Sequence, residues 1–164
     1  MPRYRVAFCV VLITVAVSAV IYFVLFLRGN LFGFNYPVLE IRDTVSGKVY
    51  GKWALEGAGE FSIEFIHSVN QSHVRETFKI EGRKIRPVSA RFFSFGAGMA
   101  SDLEEGQKLS RDGDALVISG FSSSYRELNY IVGTVSDHLL FINNTVYSLR
   151  DLCGKNAHIT IYSK

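Results

Sequence analysis

The sequence predicts an all-β fold, an antiparallel β-sandwich or barrel of short strands, with one N-terminal transmembrane helix. Three observations carry this. Short apolar-alternating segments recur along the chain with glycine between them. No long segment of period 3.6 occurs after the first 28 residues. Val6 to Leu27 holds no charged residue and is bounded by Arg5 and Arg28. Its 22 helical residues would reach about 33 Å, enough to cross a hydrocarbon core.

The elements follow in order. Residues 1–28 read as a cytoplasmic tip and membrane anchor. The competing reading is a cleavable signal with Ala16-Val17-Ser18 before a cut at Ala19, but the apolar run continues to Leu27, longer than a signal core needs. Cys9 follows Phe8, where lipidation requires a small residue. Residues 29–37 form a linker loosened by Gly29-Asn30 and Gly33, and residues 38–164 the extracytoplasmic β domain. Within it, Val38 to Asp43 and Lys48 to Leu55 flank the turn cluster Val45-Ser46-Gly47, and Gly57-Ala58-Gly59 separates the second strand from a hairpin. Gly82-Arg83 breaks the chain before a strand over Val88 to Phe95. Further strands are expected at Ala115 to Ser119, Tyr130 to Val135 and His138 to Ile142, with Asn143-Asn144 turning into Val146 to Ser148. Ser101 to Glu104 and Ser148 to Asp151 match capping boxes of short helices, Gly154 suits a helix C-terminus, and His158 to Tyr162 closes the sheet.

Charge fixes the expected topology. The formal +3 comes from Arg3, Arg5 and Arg28, leaving fifteen basic and fifteen acidic residues from Gly29 onward. A basic N-terminus ahead of an apolar span places that end in the cytoplasm and the neutral domain outside a cell membrane crossed once. Arg75, Lys79, Arg83, Lys84, Arg86 and Arg91 gather near one hairpin end without interleaved aromatics, so nucleic acid is not an expected partner. Cys9 in the span and Cys153 in the domain cannot be joined, so the domain must rest on its own core.

The hairpin of Phe61 to Ile80 concentrates the polar chemistry. Alternation puts Phe61, Ile63 and Phe65 on one face, with Val74, Phe78 and Ile80 opposite. A turn at Gln71-Ser72 would pair Ile63 with Ile80, Phe65 with Phe78 and Val69 with Val74. It would also set His67 against Glu76 on the apolar face. A carboxylate beside an imidazole there can fix register, or act as a base, a ligand site or a pH sensor. Ser68 cannot serve His67 as a nucleophile, because neighbouring strand residues point to opposite faces.

Gly96-Ala97-Gly98 forms a tight turn whose amides, beside Arg91, could receive a small anion; no third glycine or Gly-Lys-Ser/Thr ending makes it a nucleotide loop. His67, His73, His138, His158 and Cys153 show no metal-ligand spacing. Candidate ligand or polar-site residues are therefore His67, Glu76, Arg91, Gly96, Gly98 and His138. No catalytic residue, cofactor or metal is expected, and hydrolase chemistry has the least support.

His67-Ser68-Val69 with Val74, Glu76 and Phe78, the run Ser94 to Met99, the string Gly133-Thr134-Val135-Ser136-Asp137-His138 and the closing strand together resemble the family catalogued as domain of unknown function 1850, over about Val38 to Tyr162. His73 departs from that pattern, where relatives often carry proline. The resemblance implies a small membrane-anchored prokaryotic protein that accompanies a tripartite ATP-independent periplasmic transporter with a TAXI-type receptor. It implies a transporter permease or solute receptor as partner, and no activity.

Overall fold

In a computed structural model, the structure describes residues 17–24, 36–68, 71–93 and 103–164. The chain divides into two compact units, Met1–Asn35 and Tyr36–Lys164. In the first, residues 17–24 are helical; among the described residues no helix is long and apolar enough to cross a membrane. The rest of the expected span, the linker to Asn35, Val69 and the Gly96-Ala97-Gly98 turn lie outside the described residues.

The second unit is mostly β, with strands β1 (Val38–Asp43), β2 (Val49–Ala54), β3 (Glu60–Ile66), β4 (His73–Glu81), β5 (Lys84–Phe92), β6 (Lys108–Asp112), β7 (Ala115–Ser119), β8 (Glu127–Ile131), β9 (His138–Ile142), β10 (Thr145–Ser148) and β11 (His158–Ser163), and one short helix, α1 (Leu149–Cys153). They form two antiparallel sheets, ordered β2-β1-β11-β8 and β10-β9-β3-β4-β5-β7-β6. Inward positions of both sheets share one core: Leu39, Ile41, Ile159 and Ile161 from the smaller, Phe61, Ile63, Phe78 and Leu140 from the larger. Burying a side chain of that size contributes roughly 1.5–3 kcal/mol. The domain is therefore a sandwich, not a closed barrel.

Turn chemistry sets the connections. Asp43 accepts from the Ser46 amide (2.7 Å) and the Ser46 hydroxyl (2.8 Å), closing the β1–β2 turn. Asn143 and Asn144 both take positive φ (48° and 63°), the conformation a two-residue hairpin requires. The Asn143 side chain also donates to the Ala54 carbonyl at 2.7 Å, tying that hairpin to the end of β2 in the other sheet. Ser148 caps α1 by accepting from the Asp151 amide, and Gly154 (φ 95°) ends it.

The hairpin differs from its expected register. Phe61 pairs with Phe78, Ile63 with Glu76 and Phe65 with Val74, so His67 does not face Glu76. Instead the His67 amide donates to Ser72 O (2.8 Å) and its carbonyl accepts from the Gln71 amide (2.9 Å), putting His67 at the mouth of the connecting loop. Every partner is displaced by four positions, Ile63 meeting Glu76 in place of Ile80, and an even displacement preserves the faces. The ion pair that bridges the two strands lies on the outer face: Glu64 sits opposite Arg75 and contacts it at 2.7 Å, with His73 Nδ1 at 3.1 Å.

Two strands begin earlier than expected. β5 starts at Lys84, with Pro87 tolerated where its pairing with β4 shifts at Thr77/Phe78. β8 runs from Glu127 to Ile131, ahead of the expected Tyr130 to Val135.

Candidate functional site

The unequal sheets create the site. Ahead of β8 the chain pairs with the larger sheet, Ile85 and Tyr125 exchanging amide hydrogen bonds at 2.8 Å. From Glu127 onward it pairs with β11 of the smaller sheet. The strand thus crosses from one sheet to the other, and the inner face of β4, β5 and β7 extends past its edge. A cleft of about 460 Å³ opens there, within the range of small-molecule sites. Phe78, Pro87, Phe92, Ile118, Phe121 and Leu128 supply its apolar walls.

Glu76 and Tyr130 line the same cleft. Tyr130 on β8 donates its hydroxyl to Glu76 Oε2 on β4 at 2.7 Å, a hydrogen bond from one sheet to the other. Burial pushes the Tyr130 phenol far above its ordinary value, and the Glu76 carboxylate adds to the rise, so Tyr130 is a fixed donor and not a base. At the mouth, Glu104 and Gln107 are joined by the Gln107 side-chain amide (3.3 Å to Glu104 Oε2). The close approach of Gly106 and Gly120 holds that loop: Gly120 has φ +80°, and a Cβ on it would lie 2.3 Å from Gly106 O.

His138 lies beside this pair. Its ring stacks on Phe65 at 5.3 Å and meets Tyr130 edge-on at 6.2 Å. Nδ1 accepts the Gly133 amide at 3.1 Å, which only a ring unprotonated at that nitrogen can do. Burial pulls the imidazole below its usual value and Arg150 pulls the same way, against Asp137. Asp137 in turn accepts from Ser148 Oγ (2.5 Å) and the Arg150 amide (3.0 Å), fixing the start of α1. His138, Gly133 and Ser136 line a shallower depression that also contains His67 and Ser68, so the string from Gly133 to His138 and the residues His67-Ser68 meet in space.

The depressed His138 value has a sign. The unfolded chain takes up the proton first, so stability is complete above about pH 6.5 and is lost as pH falls below it. Chemical denaturation of the wild type should show stability falling as pH is lowered from 7 to 5.5. In His138→Gln, whose amide oxygen can still accept from Gly133, that slope should flatten; an unchanged slope would remove His138 as its source.

Of the other expected residues, Arg91 pairs with Asp112 at 2.8 Å on the far side of its strand from Ala90 and Phe92. Gly96 and Gly98 lie outside the described residues. Among the described residues no group of three or more His, Cys, Asp or Glu side chains is placed to hold a metal. Cys153 is a free thiol, pushed up to about 11 chiefly by burial, and so is not an activated nucleophile. The sequence reading missed Tyr130. Its signal was the alternation of Leu128, Tyr130 and Val132, which puts the phenol on the inner face.

The model of the family described as Domain of unknown function (DUF1850) matches residues 61–149. No curated protein and no solved structure matches the chain. The matched stretch contains His67, Glu76, Tyr130 and His138.

Proposed function

Since the chain belongs to the DUF1850 family, we propose that it is a membrane-anchored extracytoplasmic binding domain, a non-catalytic accessory component of a TAXI-type tripartite ATP-independent periplasmic transporter. The observation that carries the binding reading is the cleft beside β8, apolar in its walls and polar at Glu76 and Tyr130. The polar groups at and beside it are poised to hold rather than to react: Tyr130 keeps its proton, and His138, which meets Tyr130 edge-on from the neighbouring depression, has its Nδ1 occupied by Gly133. The anchor reading rests on the uncharged run from Val6 to Leu27 behind a basic N-terminus. The transporter reading rests on the resemblance carried by the hairpin and the string from Gly133 to His138.

Co-purification tests the accessory role. Full-length protein, epitope-tagged and extracted in mild detergent after crosslinking, should recover the transporter permease or its solute receptor. Recovery of neither above an untagged control would overturn the transporter reading. A stand-alone domain for a small anion has less support, because Arg91 is paired with Asp112 and, among the described residues, the cleft is lined by Glu76 and Glu104 without a lysine or arginine.

A further inference from the structure

We infer that the cleft binds a small organic cation, an ammonium group on an apolar body, with Glu76 as its counter-charge. This rests on the binding-domain reading above and names the ligand class for it. Glu76 is half-buried on the inner face of β4, between Ile63 on β3 and Ala90 on β5, neither of which can pair with a charge. Among the described residues, the ion pairs leave Glu76 without a cation. Residues 94–102, next in sequence after β5, contain no lysine, arginine or histidine. Tyr130 supplies one hydrogen bond, to Oε2.

A carboxylate withdrawn from water is costly unless a positive or hydrogen-bonding partner meets it. Here a neutral phenol meets one oxygen, and the Glu76 side chain lines the cleft. Glu104 at the mouth adds a second negative charge, which favours entry of a cation and opposes an anion. The walls suit the rest of such a ligand: Phe92, Phe121 and Tyr125 offer aromatic faces that attract an ammonium and pack an apolar chain. A wholly apolar ligand would leave Glu76 still more desolvated, and a carboxylate or phosphate would meet like charge.

The test titrates full-length protein in nanodiscs with three probes of matched shape, 2-phenylethylamine, 2-phenylethanol and phenylacetate, by calorimetry against empty nanodiscs. The amine should bind at least about tenfold more tightly than the alcohol, and phenylacetate should not bind. Glu76→Gln should weaken the amine by about tenfold and leave the alcohol unchanged, and Tyr130→Phe should retain the preference for the amine. Equal affinity for amine and alcohol, or no amine binding by the wild type, would overturn the inference without any variant. Recovery of permease or receptor with no amine binding would overturn the ligand class alone. Amine binding without either partner would overturn the transporter role alone.

Discussion

Gly133→Ala is expected to lower the unfolding free energy by about 3 kcal/mol, the upper end of the cost of overpacking. A Cβ at this position would lie 2.1 Å from Ser136 O and 3.4 Å from His138 Nδ1. The first is a backbone oxygen, and the loop cannot draw it away without losing its own ties. Gly133 donates its amide to His138 and accepts from Arg150 Nη2 at 3.2 Å, while Asp137 holds the first turn of α1. Relieving the clash therefore breaks hydrogen bonds that the overpacking figure does not include. Urea denaturation measures the loss. The His138 contribution to the pH slope should shrink in the same variant to the extent that the displaced loop lets water reach the ring, since burial is the largest cause of its depressed value. A protein within 1 kcal/mol of wild type would show that the loop yields freely.

Glu40→Ala should cost about 2 kcal/mol, for a reason that lies on the opposite sheet. Glu40 points out of β1, opposite Lys52 and Tyr162 on its two neighbouring strands, yet has no solvent exposure. Lys52 and Lys164 approach Oε2 at 3.0 Å each, and Arg42 closes on Oε1. The groups that cover the carboxylate are themselves about one-third to one-half exposed, so water screens the cluster and the cost falls below that of a deeply buried pair. Burial alone would raise the Glu40 carboxyl; Lys164, Lys52 and Arg42 outweigh it and hold it at about 2. The stability this brings is complete above about pH 4.5 and is lost as pH falls toward 2. Glu40→Ala should accordingly unfold less steeply in acid over that window, and added salt should recover part of its loss by screening the three remaining cations. Acid profiles that coincide would refute this account.

Much of the fold was legible because alternation of apolar residues reports faces directly. β1, β7 and β9 have their expected limits, since each is a short segment rich in apolar residues and bounded by turn residues. Ser148, Gly154 and the Asn143-Asn144 turn were readable because capping and positive φ depend on local residue type. Register was not, because displacing every partner by four positions keeps each apolar residue on its face, and only the closure of the loop by His67 and Ser72 decides between the alternatives. β6 left no trace: all five residues of Lys108–Asp112 are exposed at a sheet edge, so no burial pattern marks them. Glu76 was recognised as an inward polar residue, but its partner Tyr130 comes from the other sheet, a relation that no local period records.

The pairing of β1 with β11 sets the timing of folding. Val38 and Lys164 exchange backbone hydrogen bonds, and the ladder between them runs the length of both strands, so the first strand of the domain finds one of its two neighbours only in the last. β8 is attached to the smaller sheet through β11 as well. The hairpin β3–β4 can form from local contacts as soon as it emerges, but Leu39 and Ile41 lack the cover of Ile159 and Ile161 until the final strand arrives. Tyr130 cannot be held over Glu76 before then. During synthesis the domain must therefore carry an unfinished core, open along one sheet, until β11 closes it.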